Sequence, residues 1–178
     1  MRGKNSWSAV LGAMGLAALF AGPLMAQEMA PAACTAPVPP KGELAPWLSP
    51  VPLSSAGREN RSGRVQLAIG QAASLELLRT PEVHYPLRPE KPGGSVSYGG
   101  LARIDVRVAG TYRVALGSAA WIDLVQGRKA ITSTAHGHGP DCTGIRKMVD
   151  FRLMPGRYTL QIAANGEPQT TVLVARLP

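Results

Sequence analysis

The sequence predicts an all-β fold: a single jelly-roll-like β-sandwich preceded by an irregular, proline-rich N-terminal arm. Two observations predict it. From residue 64 onward, apolar and polar residues alternate with a period of two in short runs, as a strand with one buried and one wet face requires. Turn-forming pairs separate these runs roughly every 8–12 residues with no amphipathic helix between them, which is the pattern of a sandwich or barrel.

The N-terminus is read first. Arg2 and Lys4 precede an uncharged apolar run at 8–22, which is broken by Pro23 and followed by the small residue Ala26. At about 15 residues the run has the length of a signal-peptide core and is short for a membrane span. Residues 1–26 therefore read as a secretory signal peptide, placing the mature chain in the periplasm or outside the cell. No later run reaches the roughly 18 apolar residues of a transmembrane helix, so none is expected after cleavage. The formal net charge is +8. Basic residues are scattered mostly singly, as on a solvated surface, so no nucleic-acid partner is expected. Anionic envelope polymers or lipids suit such a surface better.

Residues 27–63 carry prolines at 31, 37, 39, 40, 46, 50 and 52. That density argues against helix and central strand, so the segment reads as an extended arm laid on the domain, anchored by Trp47 and Leu48. The polar stretch 54–63 reads as a loop with room for one helical turn near Ala56. Two cysteines in an exported chain most simply pair. A Cys34–Cys142 bridge would close a long loop and contribute about 4–5 kcal/mol through loop-closure entropy. The alternative, Cys142 as a thiolate metal ligand, stays open on sequence grounds.

The sandwich proper is expected over 64–178. Val65, Leu67 and Ile69 alternate with Arg64, Gln66 and Ala68; Leu75 and Leu77 follow after a turn at Gly70-Gln71. Residues 82–85 form a short strand candidate between Pro81 and Pro86. Ile104, Val106 and Val108 share one face, then Tyr112, Val114 and Leu116 after the turn at Ala109-Gly110, then Ile122 and Leu124. Val149, Phe151 and Leu153, then Tyr158, Leu160 and Ile162, bracket the Pro155-Gly156 turn. Asn165-Gly166 suits a hairpin, and Val172 and Val174 close the set.

Between the last two groups lies AHGHGPDCTGIRK (135–147), a glycine-rich loop and the first place to look for a site. His136 and His138 are two apart, so on an extended backbone both rings point to one side and can share a metal. His84, the remaining histidine, and Asp141 would complete the set; zinc, copper or non-haem iron suits such donors. The competing reading makes these histidines hydrogen-bonding surface residues. Trp121 faces away from Ile122 and, with Tyr98 of the glycine-rich KPGGSVSYGG (91–100), forms a candidate ligand surface. For Tyr98 and its glycines, close packing is the reading favoured over ligand contact. Arg146 and Lys147 are candidate anion contacts, or exposed ion-pair members with Asp141 and Asp150. No Gly-x-Ser-x-Gly, phosphate loop or dinucleotide fingerprint is present.

Two stretches, AGTYRVAL (109–116) and LMPGRYTLQI (153–162), resemble paired strands of bacterial jelly-roll modules of the pre-peptidase C-terminal family. Over nearly its whole length the chain also resembles a group of small exported bacterial proteins, some of them identified as homogentisate 1,2-dioxygenase. The shared pieces are KPGGSVSYGGL (91–101), GTYRVALGSAAWIDLV (110–125) and AHGHGPDCTGIRKMVDF (135–151). That resemblance implies a non-haem iron centre in which His136-Gly137-His138 is similar to the His-x-His of a cupin. The cupin glutamate is replaced by Asp141, and no histidine follows Pro155-Gly156, so no catalytic residue is carried over.

Whether the protein is an enzyme stays open on sequence grounds. Two functions are expected of it. The first is a non-catalytic exported binding module for a glycan, an envelope component or a protein partner. The alternative is a small histidine-centred metalloprotein, of the homogentisate dioxygenase type that the resemblance implies.

Overall fold

The computed structural model describes residues 34–178; the expected signal segment lies outside the described residues. Two sheets pack face to face as an all-β sandwich. One has six strands in the order β1-β2-β11-β5-β9-β8, the other five in the order β3-β4-β10-β6-β7. The strands are β1 Val51–Ser54, β2 Ala72–Glu76, β3 Leu78–Arg79, β4 Tyr98–Val106, β5 Gly110–Leu116 and β6 Trp121–Gln126. Then follow β7 Lys129–Ala130, β8 Ser133–Gly137, β9 Lys147–Leu153, β10 Gly156–Asn165 and β11 Gln169–Arg176. The β1–β2 pair is parallel and the other pairs are antiparallel. Among the described residues no helix is long and apolar enough to cross a membrane.

The period-two sets meet between the sheets. Tyr112, Val114, Phe151 and Val174 of the first sheet pack in one buried cluster with Ile104, Ile122, Leu124 and Leu160 of the second. Burying such a side chain contributes about 1.5–3 kcal/mol, so this interior is the main source of stability.

The sequence expectation needs correcting in five places. First, the proline-rich segment is not wholly extended: Gly42–Leu48 forms a 3-10 helix with Pro46 inside it. Its anchors are Leu44 and Trp47, the latter only 7% exposed, whereas Leu48 is 59% exposed. They rest on Ala72, Ala115, Leu173 and Ala175 from the outward face of the first sheet. Small side chains leave a shallow apolar bed there, which alternation with polar positions had hidden. Second, the arm segment also supplies β1, an edge strand that tolerates Pro52 because its outer side needs no ladder bonds.

Third, residues 64–69 alternate in burial but form no ladder; a single bridge joins Gln66 to Arg103. Fourth, residues 82–85 are not a strand. A short 3-10 helix, Thr80–Glu82, occupies the start of that stretch. Fifth, Val108 lies past the end of β4 and is 54% exposed.

The disulfide joins Cys34 to Cys142 across 108 positions, with the Cα atoms 5.4 Å apart. The Val38 N–H adds a hydrogen bond of 2.8 Å to the Cys142 carbonyl. The bridge leaves no free thiol for a metal among the described residues.

The outer face of the second sheet is covered by the chain around 85–91. Tyr85 donates its hydroxyl hydrogen to the Ile162 carbonyl at 3.0 Å. Gln161, with no exposed surface, bonds to the backbone of Leu87. The cover fits closely because residue 99 is glycine: a Cβ there would run into the Tyr85 hydroxyl and the Ile162 carbonyl.

Candidate functional site

Among the described residues one edge of the sandwich is open. At that edge the first sheet ends in β8 and the second in β6, because β7 pairs only with Val125 and Gln126. A cleft of about 290 Å³ opens above β7, between β6 and the strands β8 and β9. Its apolar lining is Ile122, Ile131, Val149 and Phe151; its polar lining is Trp121, Asp123, Ser133, His136 and Lys147.

Strand geometry explains who points where. His136 lies opposite Val149 in the β8–β9 ladder, so it shares the inward face. Lys147 precedes Val149 by two residues and points the same way; its Nζ donates to the Ala120 carbonyl at 2.9 Å. Trp121 and Asp123 share the outward face of β6, also two apart, and Trp121 Nε1 donates to Asp123 Oδ1 at 2.9 Å. Gln161 Nε2 donates to the other carboxylate oxygen at 3.3 Å. Leu124 directs its carbonyl toward β7, where it accepts the Ile131 N–H at 2.7 Å. Residues two apart in an antiparallel ladder point their backbone groups the same way. Ile122 therefore turns its N–H and carbonyl toward the cleft.

Charge is concentrated on Trp121. The Lys91 and Lys147 ammonium groups lie 5.5 and 5.3 Å from its ring centroid. Burial, and then repulsion from Lys91, push the Lys147 ammonium below its ordinary pKa, with Asp123 pulling the other way. Burial pushes the Asp123 carboxyl above its ordinary value, partly offset by the hydrogen bonds from Trp121 and Gln161. Burial, with the Asp123 charge adding to it, pushes the Tyr85 hydroxyl up to about 12.

The residues singled out in the sequence divide accordingly. Trp121, Lys147 and His136 converge on the cleft. Tyr98 does not join them: it packs against the core on the inner face of its sheet, with the Arg79 guanidinium 5.6 Å from its ring centroid. Arg146 is exposed, and its carbonyl accepts a hydrogen bond of 3.1 Å from His138 Nδ1. Asp150, instead of joining Arg146 and Lys147, is gripped by Arg113.

His84 is remote from the other two histidines. It bridges to Arg58 beside the outer edge of β4, and Arg58 Nη2 donates to its Nε2 at 3.3 Å. Strand β10 and the 56–58 segment intervene before β6 is reached, and each step in a sheet is about 4.8 Å. A three-histidine centre is therefore not formed. Among the described residues no three His, Cys, Asp or Glu side chains come together as a metal site requires. The donors His84, His136, His138 and Asp141 thus do not fit a resident iron, zinc or copper ion.

Sequence reasoning missed Asp123 and Lys91. The Trp121-x-Asp123 spacing, which puts both side chains on one strand face, was a usable signal for Asp123. Lys91 had none, since it reaches Trp121 from a loop thirty positions earlier. No protein-family model and no curated protein matches this sequence.

Proposed function

We propose that the protein is an exported, non-catalytic binding module of the bacterial envelope, holding an envelope component in the cleft beside Trp121. The observation that carries this reading is the convergence of Trp121, Lys147 and His136, from three strands, on one half-open cleft with an apolar floor. Small-ligand sites have this character: a mostly apolar surface with a few placed polar groups. The Cys34–Cys142 bridge supports the exported half of the reading, because cytosolic thiols are kept reduced.

The test is binding of the purified chain to isolated peptidoglycan sacculi and to vesicles of anionic envelope lipid, alongside Trp121→Ala shown by thermal melting to be folded. Binding that falls about ten-fold or more in the variant supports the proposal. Equal binding by both proteins, or binding by neither, overturns it.

A further inference from the structure

Among the described residues Lys147 is a half-buried cation without an acid paired to it. Its Nζ is bonded to a neutral carbonyl, that of Ala120. Among the described residues no carboxylate lies within ion-pair distance of it. Asp123, the acidic residue in the cleft lining, has both oxygens engaged, one by the Trp121 indole and one by the Gln161 amide. Lys91 places a second ammonium on the same tryptophan ring. Burial and repulsion from Lys91 both disfavour the Lys147 charge, and an anion at its Nζ offsets that cost. The Ile122 N–H, turned into the cleft and without a strand partner among the described residues, is a further donor for such an anion.

Beside Lys147 the lining is hydrocarbon: Ile122, Ile131, Val149 and Phe151. The volume of about 290 Å³ lies at the small end for ligand sites, which run from roughly 300 Å³ upward, so the guest is small. A neutral sugar leaves Lys147 uncompensated and sets hydroxyls against isoleucine and phenylalanine. A cation meets the Lys147 ammonium, and the lining carboxylate, Asp123, has both oxygens already engaged.

We infer that the cleft takes a small anionic amphiphile, of the class of a medium-chain alkyl carboxylate, with its carboxylate on Lys147 and its hydrocarbon chain on Ile122, Ile131, Val149 and Phe151. The inference rests on the reading of this cleft as the binding surface and names its ligand class.

The probes are octanoate, 1-octanol and octylammonium, titrated into the purified chain and followed by calorimetry and by backbone amide NMR. Octanoate binds with one site per chain, shifting the amides of Ile122, Ile131 and Val149, and about ten-fold or more tighter than the other two. Lys147→Met loses that preference and Lys147→Arg keeps it, both with melting temperatures checked. Equal binding of octanoate and octanol overturns the ligand class, and so does an octanoate preference that survives in Lys147→Met. Failure of octanoate to bind overturns the inference as well. In each of these cases Trp121-dependent binding to sacculi or vesicles leaves the cleft standing as a binding surface. Loss of Trp121 dependence in that assay removes both.

Discussion

Gln161 holds the backbone of Leu87 twice. Its Oε1 accepts the Leu87 N–H at 3.2 Å, and its Nε2 donates to the Leu87 carbonyl at 3.0 Å. A side chain on β10 thereby stands in for a missing strand partner. The loop it holds is the one that carries Lys91 to Trp121, so the outer cover and the cleft are mechanically linked.

Replacing Gln161 by leucine, of similar volume, strands both Leu87 backbone groups. The expected loss is about 1–3 kcal/mol, the usual cost of leaving buried polar groups unpaired. It is read as a lower urea midpoint at unchanged slope. Amide exchange across 85–92 quickens in the same variant. The inner-face Leu160 and Ile162 amides keep their protection relative to the global value.

Tyr85 gives a pH prediction with a definite sign. Its hydroxyl is pushed up to about 12, against an ordinary value near 10. Between those two values the unfolded chain releases a proton that the folded chain keeps, so stability declines as pH rises. The contribution is complete below about pH 10 and gone above about pH 12. Thermal melts of the wild type across that window show the decline, and Tyr85→Phe shows a shallower one. At neutral pH the same variant costs about 1 kcal/mol for the hydrogen bond to the Ile162 carbonyl.

The bridge between Cys34 and Cys142 closes a loop of 108 positions. Loop-closure entropy assigns such a crosslink about 4–5 kcal/mol. Cys34→Ser/Cys142→Ser, or the wild type under reductant, is expected to lower the urea midpoint by that equivalent. Release of the arm also lifts Trp47 from its alanine bed, so its emission shifts to the red while Trp121 keeps its environment.

Much of this architecture is legible in the chain itself. The alternations at Tyr112, Val114 and Leu116, and at Tyr158, Leu160 and Ile162, name inward residues of β5 and β10 correctly, because a strand's period of two is local. The outward direction of Trp121 follows from the same rule. The pairing of Cys34 with Cys142 follows from there being only two cysteines. Other features are set by partners far away in sequence. Val65, Leu67 and Ile69 alternate like a strand because they lie on a packed surface, yet they lack a neighbouring ladder. His84 and His136 look combinable until the sheet order puts them on different edges. Residues 135–137, read as loop, are the end of β8, and the register with Val149 decides that His136 faces inward.

Strand β11, the last of the eleven, lies in the middle of its sheet, hydrogen-bonded to β2 on one side and β5 on the other. A nascent chain delivered N-terminus first has β2 and β5 in hand long before the piece that joins them. The six-stranded layer is consequently completed only when β11 is delivered, although β1 with β2, and β5 with β9 and β8, can pair before it. Until then β2 and β5 each lack the strand that lies between them.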